Sequence, residues 1–123
     1  MELSLDRPED FLFVRRADAH AVLVVDRELT ASFILARDRA IEDWNADEVA
    51  ALTPQQVEPI LALKPDVVLL GSGARQQFPS QAVLAAFLQH GVGVEVMDNA
   101  AAARTWNVLA GEHRNVVAAF ILS

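Results

Sequence analysis

The stretch "VVLLG" beginning at Val67 constrains this chain more than any other. It is a short apolar run with no polar alternation, as expected of a strand buried on both faces. A helix-like segment precedes it. Thr53 can cap, Pro54 suits a first helical position, and Gln56 completes a capping box. Val57, Ile60 and Leu61 then share one apolar face, and Lys64-Pro65-Asp66 stops the helix. A second helix is expected from Pro79-Ser80, with Val83, Leu84, Phe87 and Leu88 facing inward and Gly91 ending it. "VGVEVM" then reads as another buried strand. Asn99 to Ala110 is the third helix, with Gly111 as its stop, and "NVVAAFIL" from Asn115 is the closing strand. Alternating helix and strand predicts a largely parallel sheet covered by helices.

The first half reads differently. "FLFV" from Phe11, "HAVLVVD" from His20, "LTASFILA" from Leu29 and Ala40 to Trp44 are short candidate strands. Asp26-Arg27-Glu28 and Arg37-Asp38-Arg39 are read as turns. Within "LTASFILA", Thr30, Ser32 and Ile34 fall on one face, with Phe33 and Leu35 on the other. Connections this short make the half antiparallel, either extending the sheet or forming a small separate layer. With 123 residues and 53% hydrophobic residues, the chain suits one domain, 1–123, around a packed core.

Charge and composition narrow the function classes. Lys+Arg 10 against Asp+Glu 17 leaves a net charge of −7, which argues against nucleic acid and against anionic membranes, and permits a basic protein partner. No cysteine is present, so disulfides, thiol catalysis and thiolate metal sites are excluded. The start "MELSLDRPEDFLF" reads as neither a secretory signal nor a transit peptide, and no apolar run is long enough for a membrane helix. A cytoplasmic protein is the expectation.

The chemistry-like motifs are few. In "LLGSGARQQFP", Gly71-Ser72-Gly73 follows a strand, but Gln76 stands where a dinucleotide fingerprint has its third glycine, and the helix waits until Pro79-Ser80. No Gly-Lys-Ser/Thr follows for a phosphate loop, and Ser72 lacks the flanking glycines of a nucleophile elbow. His20, His90 and His113 form no metal-binding spacing. No metal or cofactor is expected. Two readings of the remaining polar residues stay open. Asp98 and Asn99 end a parallel strand and begin a helix, at the sheet edge where ligands bind. With Gly71, Ser72, Gly73 and Arg75, and with Arg104, Thr105 and Asn107 from the helix, they could hold a small anion or another small molecule, possible enzyme chemistry included. Alternatively, Asp98 or Asn99 is an N-cap, and Arg104 and Asn107 clamp the Gly71 loop through its carbonyls. The clamp is the preferred expectation. Trp106 falls with Ala102 and Leu109 on the helix's apolar face.

Together, "LLGSGARQQFP" and "GVGVEVMDNAAAARTWNVLAGEHRNVVAAFIL" resemble the Mth-domain family of small α/β proteins, which includes mitochondrial complex I assembly factor 3 and the adipogenesis-associated Mth-domain protein. Gly71, Gly73, Pro79, Met97, Asp98, Arg104, Thr105 and Asn107 match that pattern. Ser72 and Asn99 stand where threonine is usual, and Trp106 where tyrosine is usual, which removes a phenolic hydroxyl. The resemblance implies three layers around a mixed sheet with a small β extension. It implies no established enzyme activity. It points instead to a non-catalytic, assembly-factor-like protein that binds an unknown protein partner.

Overall fold

A computed structural model describes residues 10–123. The opening residues read above for targeting signals lie outside this range up to position 9. The described elements are β1 (Val14–Ala17), β2 (Val22–Val24), β3 (Arg27–Leu29), β4 (Phe33–Leu35), β5 (Ala40–Ile41), a 3-10 turn (Val49–Ala51), α1 (Pro54–Leu61), β6 (Val67–Gly71), α2 (Gln81–Gln89), β7 (Gly93–Met97), α3 (Asn99–Gly111) and β8 (Val116–Phe120).

The main sheet has the order β5-β4-β8-β6-β7. Strands β7, β6 and β8 are parallel; on the other side β4 is antiparallel to β8 and β5 is antiparallel to β4. A separate antiparallel sheet holds β1, β2 and β3. The fold is therefore mixed α/β. The front half realises both alternatives read from its sequence: β4 and β5 extend the main sheet, and β1 to β3 build a layer of their own.

Period-two alternation decides which side each residue packs on. Val68 and Leu70 of β6, Ile34 of β4 and Val117 and Ala119 of β8 pack with Val57 and Ile60 of α1 and Val83 and Phe87 of α2. Leu69, Phe33, Leu35, Ala118 and Phe120 point the other way, against Trp106 of α3 and the small sheet. This is why "VVLLG" shows no alternation. Both faces of β6 are covered, and its Val68, Leu69 and Leu70 are fully buried.

The helix starts behave as their sequences require. Thr53 and Gln56 form the reciprocal capping box and Pro54 opens α1. Ser80 caps α2 through Val83 N–H, and Asp98 caps α3 through Ala101 N–H.

Several expectations are corrected. "LTASFILA" is two strands in two sheets, because the chain changes sheet at Thr30–Ser32; the buried Ser32 hydroxyl there accepts from Leu122 N–H at 2.9 Å. Arg27 and Glu28 belong to β3 rather than a turn; Val25, with φ 56°, turns the chain instead. The strand at Phe11 begins only at Val14, and the one at Ala40 ends at Ile41. β7 is an edge strand, and only Val96 in it is buried. Leu88 is 78% exposed and Leu84 only half-buried. Gly111 stays within α3, and the left-handed residue after the helix is His113, φ 61°.

Candidate functional site

The carboxyl ends of β6 and β7 are neighbours, with Gly71 paired to Met97. From that point the chain leaves β6 toward α2, on one face of the sheet, and leaves β7 toward α3, on the other. In open α/β sheets such a divergence opens a crevice that holds ligands. Here hydrogen bonds bridge the crevice. Ser72 N–H donates to Met97 O at 2.9 Å, and Asn99 N–H donates to Gly73 O at 2.9 Å. The Gln76 side-chain amide reaches across to Val96 O at 2.8 Å.

Asn99 fills the centre. Its side chain is fully buried at the first position of α3. Its Oδ1 accepts from Gly73 N–H at 3.1 Å, and its Nδ2 donates to Asp18 O and to Ile121 O, each at 3.0 Å. One amide thus ties together the β6 loop, the segment after β1 and the end of β8. Asparagine suits this place because it presents an acceptor and two donors at once. Gly71 is required beside it: a Cβ there would fall far inside contact with Asn99 Oδ1.

The loop from Ser72 to Pro79 is internally organised as well. The Ser72 hydroxyl donates to Arg75 O at 2.7 Å, with Met97 O at 3.1 Å as the competing acceptor, and it accepts from Gln77 N–H at 3.1 Å. Gly73 takes φ 106°, a backbone region open to glycine. Two surface clefts flank this loop. One of about 360 Å³ is lined by Asp18, His20, Gly73, Ala74 and Asp98, among others. The other, of about 240 Å³, includes Asp47, Glu48, Ala74 and Arg75. Asp18 accepts from the N–H groups of His20 and Ala21 at 2.8 and 2.9 Å, and those bonds hold its carboxyl below the usual aspartate range. Among the described residues no group of three His, Asp or Glu side chains could hold a metal ion.

Comparison with known proteins fits this architecture. The family described as "Protein of unknown function (DUF498/DUF598)" matches residues 14–121. The chain belongs to the DUF498/DUF598 family.

A solved Xanthomonas campestris relative of this DUF498/DUF598 protein is 45% identical, with a TM-score of 0.85 over 98% of this chain and 89% of that one. A Bordetella pertussis protein described as a Mth938-like domain is 26% identical, with a TM-score of 0.79 over 98% of this chain and 92% of that one. The Danio rerio protein named NADH dehydrogenase (ubiquinone) 1 alpha subcomplex assembly factor 3 is 33% identical over 84 residues, 67% of this chain and 48% of that protein. A Francisella tularensis protein named "13 kDa major membrane protein" is 30% identical over 70 residues, 57% of each chain. The chain spans about half the length of these two curated relatives. The resemblance read from the sequence is thereby shown.

Of the residues singled out from sequence, Gly71, Ser72, Gly73, Asp98 and Asn99 do meet at one edge. Thr105 bonds back to Ala101 O at 2.9 Å within its own helix. Arg75 is exposed and contributes its main-chain carbonyl. Arg104 and Asn107 do not clamp the Gly71 loop. Asn107 grips β1 instead, accepting from Val14 N–H at 2.9 Å and donating to Val14 O at 2.8 Å. Arg104 is exposed and makes no hydrogen bond or ion pair among the described residues. Both residues sit too far along α3, on the side that faces the small sheet. Trp106 is fully buried as expected, and its indole N–H donates to Leu12 O at 2.8 Å.

Two contributors escaped the sequence reading. Asp18 was legible as a short polar side chain ahead of two free amides in "ADAHA". Gln76 carried no signal, because its partner is a carbonyl on a distant strand.

Proposed function

We propose that the chain is one domain, 1–123, and acts as a non-catalytic protein-interaction module of the assembly-factor type, working in the cytoplasm. The observation that carries this reading is the filling of the β6–β7 crevice by Asn99. The place where an α/β sheet ordinarily admits a substrate is used for internal bonding. The 33% identity to an assembly factor supports the same direction. The partner is a protein, since a net charge of −7 opposes nucleic acid and no helix of the described residues is long and apolar enough to cross a membrane. Phe78, 61% exposed ahead of α2, and Leu88, 78% exposed near its end, are the contact residues we assign.

The test is affinity capture from the source cell with wild type and with a Phe78→Ser/Leu88→Ser variant of unchanged melting temperature. A partner retained by wild type and lost by the variant is expected. No partner above an inert-domain control would overturn the reading. The two clefts beside Gly73 and Ala74 favour a second reading, binding of a small molecule, which a thermal-shift ligand screen distinguishes.

A further inference from the structure

The clefts on either side of Gly73 and Ala74 each carry two carboxylates in their lining, Asp18 with Asp98 and Asp47 with Glu48. A third cleft, of about 270 Å³, runs between β1 and α3 and has no carboxylate among the described residues that line it. It holds Arg15, Arg16 and Arg104 instead, in a chain whose net charge is −7. Among the described residues that line it, the charged ones are all arginines, a cluster that favours a shared anion.

The backbone is shaped for this. Val14 pairs with Val24 and Arg16 with Leu23, so Arg15 is an extra residue in β1. A regular strand sends consecutive side chains to opposite faces; the irregularity lets Arg15 and Arg16 line the same cleft. Ala100 and Ala103 of α3 leave its floor open, and the Asn107–Val14 bonds hold that floor to β1. The three cations are also available. Arg104 makes no hydrogen bond or ion pair among the described residues. Arg16 reaches Glu28 only at 3.7 Å, with side chains 70% and 53% exposed, a pairing that water readily replaces. Arg15 is steadied through its Nε, which donates to Val25 O, and by stacking 4.9 Å from the Phe13 ring centre. Its terminal nitrogens remain unbonded among the described residues.

We propose that this cleft is an oxyanion site, taking a phosphate or a dicarboxylate between Arg16 and Arg104 with Arg15 beside them. Guanidinium groups suit such ligands because their paired N–H groups match two oxygens. The proposal is independent of the protein-interaction reading, whose residues lie by α2.

Amide chemical-shift titration of the full chain tests it, using inorganic phosphate, succinate, and sodium chloride at matched ionic strength. Saturable shifts at Arg15–Ala17 and 100–104 are expected with phosphate or succinate, and none with chloride. Saturation by one of the two alone assigns the ligand class. Arg16→Ala and Arg104→Ala should each weaken binding about tenfold, which is about 1.4 kcal/mol. Arg75→Ala should leave it unchanged. Arg104→Gln, which keeps the aliphatic stem, replaces the alanine variant if the helix is perturbed. The proposal is overturned if neither anion saturates, if chloride reproduces the shifts, or if binding survives both arginine substitutions.

Discussion

Asn99 Oδ1 occupies the volume that a side chain at Gly71 would need, so the two positions must be read together. The same oxygen accepts from Gly73 N–H at 3.1 Å. Gly71→Ala therefore does more than add a methyl group: Phe120 at 3.2 Å and Ala119 O at 3.4 Å close the other directions. We expect a loss of about 1–3 kcal/mol in urea unfolding, the range for overpacking a tight core. A Gly71→Ala variant as stable as wild type would mean that the Asn99 amide is free to move.

Asn99→Ala removes one acceptor and two donors and leaves Gly73 N–H, Asp18 O and Ile121 O short of partners. A loss of about 3 kcal/mol is expected, since unsatisfied buried groups carry most of the penalty. Asn99→Asp should be no better at neutral pH, because a carboxylate would face two carbonyls. Thermal melts of both variants check this.

On α3, adjacent turns should respond oppositely. Asn107→Ala frees both polar groups of Val14 and should destabilise by about 1–3 kcal/mol. Arg104→Ala should change stability by less than about 0.5 kcal/mol, as at surface sites without partners. A large loss at Arg104 with none at Asn107 would contradict the Asn107–Val14 hydrogen bonds.

Asp18 supplies a pH test. Its folded-state value is lowered by the N–H groups of His20 and then Ala21. The native state therefore keeps the charge where the unfolded chain begins to take up a proton. The stabilisation is complete above the ordinary aspartate range and disappears as pH falls through the lowered value. A carboxyl-carbon NMR titration should place Asp18 below the ordinary aspartate range, and Asp18→Ala should melt at a pH-independent deficit above that range. An ordinary midpoint for Asp18 would remove this contribution.

Hydrogen exchange should rank the strands by position. β6 lies between β8 and β7, whereas β7 has an open edge. Gly93 N–H and Met97 O bond toward β6, so by alternation the amides of Val94 and Val96 point outward. They should exchange well before those of Val68 to Leu70 and Val117 to Ala119. Equal protection of Val94 and Leu69 would indicate that the β7 edge is covered in solution.

Local physics made much of this protein legible in its sequence. A capping box, two further N-cap side chains, a proline at a first helical turn and a strand with two apolar faces are short-range requirements, so α1, α2, α3, β6 and β8 stand close to where their residues place them. The meeting of Gly71–Gly73 with Asp98–Asn99 also followed, because parallel strands joined by helices end at one edge. What tertiary structure alone decided was partnership. Strand order makes β7 an edge among the described residues, so a segment read as a buried strand keeps only Val96 buried. The change of sheet after β3 cannot be read from alternation, since β3 and β4 are only three residues each. Asn99 and Asn107 are both amides on the same helix, eight positions apart; the sequence places one at its start and one within it but names neither partner. One meets the β6 loop and the other meets β1, because hydrogen-bond partners are set by what the packed layers bring within reach.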